Sequence, residues 1–328
     1  MKDLIKKRCD LFAENRYAMG KAFILEYGLI KVAASSAFTQ NGREVDAEFV
    51  KECQKILQKE ENYFSYFRGF NEVIVSSKMA VSGQPEKYLE DAVAVYDKLK
   101  EGKLMGSIYR AVAAMVICDS KRMGDADVIV DRTSQIMKGM KEKHPFLTTD
   151  EDTCFAVLLA MSDKNVDDIL TELEDSYQIL KKKFLFHDND VYSLAQVITA
   201  LGGSSEEKCE KALNLYDAFK AAGAPYGKNY ELSMLGCLVD LDVDQEQLIQ
   251  DVVEAEVYLR SQKGLGVLDM SKETRLMYAS MITAAIYNEE KNPASSAIGN
   301  TIAVTIAQEV TFMLIVVMCS SIASISSN

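Results

Sequence analysis

The sequence predicts an all-α fold of degenerate helix pairs, an α-solenoid or, if the superhelix closes, an α/α toroid. Three observations predict it. Amphipathic helical stretches recur at a spacing of about forty residues. Each is followed by a stretch that is apolar on nearly every face. No run of alternating β-branched residues flanked by turn signals competes before residue 294.

The first element begins at once. Met1-Lys2-Asp3-Leu4-Ile5-Lys6-Lys7-Arg8 mixes charge with apolar residues and contains no uninterrupted apolar core, the pattern of a helix start rather than a signal peptide. Further along, Leu89, Ala92, Val93, Tyr96 and Leu99 fall on one helical face, as do Val166, Ile169, Leu170, Leu173, Tyr177 and Leu180, and then Cys209, Ala212, Leu213, Tyr216 and Phe219. Aligned on their central large residues, Leu57, Tyr96, Met137, Tyr177 and Tyr216, the copies lie 39, 41, 40 and 39 residues apart, with a looser copy near Val257 or Tyr258. The stretches that follow them (112–118, 154–161, 191–201, 232–241 and 276–287) are apolar all round. Such helices must be covered on every side, which makes them an inner layer inside the charged first helices. Asn165, Ser204-Ser205 and Asp244 stand where N-caps are needed, with carboxylates or Gln in the following turn. Seven pairs are expected over residues 1–291, as one helical-repeat domain.

The segment 292–328 differs in kind. From Ala294 to Ile325 its only charge is Glu309, and residues 310–319 are almost wholly apolar. A spanning helix needs roughly 20 apolar residues, and Gln308-Glu309 inside one would cost about 2.5 kcal/mol or more near the bilayer centre. Two readings stand: a segment docked against the helical array, or a tail that associates with a membrane through residues 294–325.

The composition is globular, with 48% hydrophobic and 26% charged residues, which excludes disorder and collagen. A formal charge of -12 repels nucleic acid, so no such partner is predicted. The seven cysteines are widely spaced, contain no C-x-x-C pair and sit in apolar helical stretches, so they read as reduced and structural. The expected compartment is the cytoplasm, with membrane association through the tail as the alternative.

Few residues offer chemistry. The two histidines, His144 and His187, fall in the first-to-second helix loops of neighbouring repeats, each with carboxylates behind it: Asp150 and Asp152 after His144, Asp190 after His187. Loops of adjacent pairs lie about 8–10 Å apart, so these five side chains are a candidate divalent-metal set for Zn, Mn or Fe. The same acids are also what a helix N-terminus calls for, and no cofactor is predicted beyond that possible metal. P-loop, G-x-G-x-x-G, G-x-S-x-G and H-E-x-x-H motifs are missing. The loops also hold aromatics, and Phe67, Arg68, Phe146, Phe186 and Tyr226 make a candidate rim for a protein or peptide partner, the use to which most solenoids are put.

Lys6-Lys7-Arg8-Cys9-Asp10-Leu11-Phe12, Phe67-Arg68-Gly69, the run from His144 to Asp152, Ala156-Val157-Leu158-Leu159-Ala160 and Tyr226-Gly227-Lys228, with the apolar, Ser-ending tail, resemble an uncharacterised bacterial family catalogued as domain of unknown function 4003. The resemblance implies a bacterial cytoplasmic setting and supplies no activity or catalytic residue. The leading expectation is therefore a non-enzymatic interaction scaffold. The rival is an α/α-toroid enzyme with a metal or acid site near His144 and His187.

Overall fold

The computed structural model describes residues 1–62, 65–103, 105–291 and Ile306. Phe64 and the segment from 292 onward, Ile306 excepted, lie outside the described residues, and with them both readings of the C-terminal segment. The described elements are helices in seven pairs. They are α1 (Asp3–Ala22) with α2 (Gly28–Gln40), α3 (Ala47–Glu60) with α4 (Glu72–Ser82), and α5 (Pro85–Lys100) with α6 (Ile108–Asp119). Next come α7 (Ala126–Lys143) with α8 (Thr153–Ala160), α9 (Val166–Leu180) with α10 (Asp188–Ala200), α11 (Ser205–Ala221) with α12 (Gly236–Val239), and α13 (Gln245–Arg260) with α14 (Lys272–Lys291).

The layering follows the sequence pattern. The odd-numbered helices bury one stripe, as Val50, Cys53 and Leu57 do on α3. The even-numbered ones are buried all round: Val32–Thr39 on α2, Val73–Ala80 on α4 and Thr274–Tyr287 on α14 are unbroken buried runs. A full turn takes 3.6 residues, so each run covers every face at least twice. Neighbouring outer helices pack in sequence order, as do most inner ones. Helix starts obey local chemistry. Asn165 accepts from the Asp168 amide at 2.8 Å, Ser204 from Glu207 at 3.3 Å, Asp244 from Gln247 at 3.1 Å and Asp46 from Phe49 at 3.0 Å. The sixth inner element departs from the expected helix: a 3-10 stretch, Tyr230–Leu235, leads into the four-residue α12. Here Gly236 lets the backbone close on α10, since a Cβ at that position would stand 2.3 Å from Val197 Cγ1.

The two ends of the array meet, which takes the fold from the open solenoid to its stated alternative, the closed toroid. α1 packs on both α13 and α14. Phe12 stacks on Tyr278 with ring centroids 5.3 Å apart, Lys2 pairs with Glu290 at 2.8 Å and Arg8 with Glu289 at 3.0 Å. The terminal ammonium of Met1 lies 3.3 Å from Asp251 and also binds Glu254, and Tyr258 donates to Asp10. Beside this seam Gly264, at φ +82°, turns the α13–α14 loop against Arg16. Arg275 anchors that loop from below, bonding Glu256 at 2.7 Å and the Met270 carbonyl at 2.8 Å with both charged side chains nearly inaccessible.

Candidate functional site

Because all seven outer helices run the same way, every first-to-second helix loop emerges on one rim of the ring. Charge follows. Outer helices begin with carboxylates in the first turn, such as Glu48, Glu86, Asp127 and Glu246, and most end with Lys or Arg, such as Lys59, Lys100, Lys143 and Arg260. This is the arrangement that complements a helix dipole at each end.

The candidate metal residues occupy this rim but do not pool. His144 caps α7, and its Nε2 lies 2.6 Å from Glu174 Oε2 on α9, while its ring meets Tyr177 and Tyr192 edge-on at 5.2 and 5.3 Å. Burial raises the Glu174 carboxyl, but hydrogen bonds from Gln178 and His144 outweigh it and the net shift is downward. Asp150 is bound by Arg110 at 2.5 Å. Asp152 accepts from Gln196 at 2.7 Å and closes a capping box with the Thr149 amide at 2.8 Å. Burial nevertheless pushes its carboxyl up to about 6. His187 precedes α10, with Nδ1 3.9 Å from Asp190 Oδ2, and burial pushes Asp190 up to about 6 with His187 pulling the other way. Tyr177 donates to Asp188 at 3.0 Å, tying the two loops together. Among the described residues no three His, Cys, Asp or Glu side chains are grouped to hold a metal ion. The acids expected as ligands already serve Arg110, Gln196 and helix N-termini.

The five candidate partner-binding residues divide. Phe146 and Phe186 stand 93% and 96% exposed. Phe67 and Tyr226 correct the expectation, because they are core. Phe67 meets Tyr96 edge-on at 5.5 Å, and Tyr226 packs on Phe219 at 5.1 Å with its hydroxyl bonded to Ser280. Arg68 is mostly covered and pairs with Glu72 at 3.2 Å, bracing the start of α4. Leu185 beside Phe186 is exposed as well, and other exposed apolar side chains on the same rim escaped the sequence reading: Met105 after α5, Ile24 and Leu25 after α1, and Val267 and Leu268 after α13. The loops that carry the last four lie side by side only because the ring closes: a Cβ at Gly28 would stand 3.9 Å from the Asp269 carbonyl oxygen. No isolated residue signals this. The aliphatic pairs Ile24-Leu25 and Val267-Leu268, each in a predicted loop, were the available clue. By contrast, none of the described connections on the opposite rim exposes a large apolar side chain.

Phe186 has a second peculiarity. Its φ of +69° lies in the left-handed region, which a bulky residue adopts only at a cost of order 1–3 kcal/mol. A strained turn that holds an aromatic ring in solvent is not explained by packing.

Among the described residues no helix is long and apolar enough to cross a membrane. Cys9, Cys53, Cys118, Cys209 and Cys237 are free thiols, and all of these but Cys118 are buried; burial pushes the thiols of Cys9 and Cys53 up to about 12. A family model described as "Protein of unknown function (DUF4003)" matches residues 17–313. No curated protein and no solved structure matches the chain.

Proposed function

The chain belongs to the DUF4003 family, and from that premise we propose that it is a non-enzymatic helical-repeat scaffold of the bacterial cytoplasm that holds a protein or peptide partner on one rim of its ring. One observation carries the reading. Phe146, Leu185, Phe186, Met105 and the Ile24, Leu25, Val267, Leu268 group all emerge on the same rim, whereas the described connections of the other rim expose no large apolar side chain. Exposed apolar surface gathered on one face of a soluble array marks an interaction site. The strained backbone at Phe186 supports it, and the buried free thiols of Cys9, Cys53, Cys209 and Cys237 suit a reducing compartment.

The enzyme reading draws support from ring closure and from the raised carboxyls of Asp152 and Asp190. It is the weaker one, because Asp152 is held by Gln196 and the Thr149 amide and Asp190 lies beside His187.

A photo-crosslinking residue placed at position 186, and separately at 163 on the opposite rim, tests the scaffold in living cells. The expected result is one discrete adduct from position 186, lost with Phe146→Asp and missing from position 163. Adducts of equal yield from both rims, or none from 186, would overturn it.

A further inference from the structure

Burying a cation is costly unless a carboxylate or a set of hydrogen bonds goes with it. Five basic side chains among the described residues are buried: Arg16, Lys78, Arg110, Lys208 and Arg275. Four of them follow the rule. Arg275 pairs with Glu256 at 2.7 Å and Arg110 with Asp150 at 2.5 Å, while Lys78 binds Asp119 and Lys208 binds Glu172. Arg16, near the end of α1, is the exception. It is only 7% exposed, it has neither a hydrogen bond nor an ion pair among the described residues, and its Nε is closed off from water.

The backbone is shaped around this guanidinium. A Cβ at Gly20, one turn along α1, would stand 2.9 Å from Nη1, and one at Gly264 would stand 3.3 Å from Cζ and 3.4 and 3.5 Å from the two terminal nitrogens. Two glycines, one on each side of the seam, thus leave the room that the group occupies. The charges around it do not complete a pair. Asp269 attracts Arg16 through space, yet its own Oδ2 accepts from the Gly266 amide at 3.2 Å. Lys31, in the first turn of α2, is a second cation with no ion pair among the described residues. Its ammonium is lowered first by burial and then by the charge of Arg16, with Glu26 pulling the other way, and burial lowers Arg16 as well.

Two neighbouring cations that repel each other are best satisfied by one anion of more than one charge. A guanidinium is a planar fork that grips two oxygens of a phosphate, and a phosphate monoester carries close to two charges at neutral pH, where a carboxylate carries one. We propose that Arg16 and Lys31 bind a phosphate-class anion at the seam where α1 meets the α13–α14 loop. The inference does not rest on the rim's partner, since a free ion is its probe.

The test is the thermal midpoint of the full-length protein titrated with inorganic phosphate, with chloride holding the ionic strength constant. A saturable rise of about 2 °C or more is expected, because a ligand that binds only the folded state stabilises it by mass action. Arg16→Gln should abolish the rise, and Lys31→Gln should weaken the apparent affinity several-fold. No rise in wild type, an equal rise in Arg16→Gln, or an equal rise with acetate would overturn the proposal. Should Arg16→Gln fail to fold, Gly20→Ala takes its place. Ala is the better helix former, yet its methyl must displace Nη1, so this variant should fold and bind phosphate several-fold more weakly in equilibrium dialysis. Binding as tight as wild type would count against the site. Vesicles of phosphatidylglycerol distinguish the sources of the phosphate: flotation lost in Arg16→Gln would support the site and assign it a lipid headgroup, and a saturable phosphate response without flotation assigns it a soluble phosphate.

Discussion

The two rims are made by the same seven helix pairs and yet obey different rules. Where the outer helices begin, carboxylates fill the first turns, Asp46, Asn165, Ser204 and Asp244 accept backbone amides, and the connections are short. Where they end, basic side chains meet longer loops whose tips carry Phe146, Leu185, Phe186, Val267 and Leu268 into solvent. The first rim is chemistry for terminating helices. The second carries large apolar side chains that the described packing leaves in solvent, and the proposed partner face rests on that contrast.

That contrast can be broken or sharpened by substitution. The largest effect should come from beneath the apolar rim, at the buried pair that anchors the α13–α14 loop. Glu256→Gln leaves Arg275 charged and enclosed, and is expected to cost about 3–5 kcal/mol in urea unfolding. A cost under about 1 kcal/mol would mean that the loop owes its position to its exposed residues after all.

Asp152 comes next, and here the sign follows from the raised carboxyl. The folded state binds this proton more tightly than the unfolded chain, so its contribution is fully present below about pH 4 and is lost as pH rises toward about 6. An increase from the ordinary aspartate value of 3.8 to about 6 corresponds to about 3 kcal/mol. Stability measured at pH 4 and pH 7 should therefore change differently in wild type and Asp152→Asn, by that order. Parallel pH curves for the two proteins would show that Asp152 is ionised at no cost.

On the capping rim, Asn165→Ala is expected to lose about 1 kcal/mol by chemical denaturation. The smallest effects belong to the apolar tips. Phe186→Asp should change stability by no more than about 0.5 kcal/mol, and Phe186→Gly should raise it by up to about 1 kcal/mol by relieving the left-handed backbone. If Phe186→Asp instead unfolds the protein, the residue is structural and the difference between the rims disappears.

Much of this architecture is legible in the amino-acid order, because period and capping are local. Asn165, Ser204 and Asp244 cap the helices they precede in the sequence reading, and the stretches apolar on all faces became the inner layer. Closure was not legible. It depends on a small rotation at each pair, summed seven times, and no single residue encodes it. The loop aromatics show a second limit. Phe67 and Phe146 look alike in sequence, yet one is enclosed beside Tyr96 and the other projects, a difference set by neighbouring loops. The histidine–carboxylate set failed to assemble for a related reason: Arg110 and Gln196, forty or more residues from the acids they bind, reach them first.

Closure also sets an order of events during synthesis. In an open array the first pair can stack on the second and be finished while later repeats are still being made. In this ring the seam face formed by Met1, Lys2 and, on α1, Arg8 and Phe12 has its partners on α13 and α14, about 250–290 residues downstream. Helix α1 leaves the ribosome well ahead of these partners and is therefore among the last of the described helices to be completed. Until then it presents an uncovered apolar edge, the kind of surface on which chaperones act and partly made chains associate.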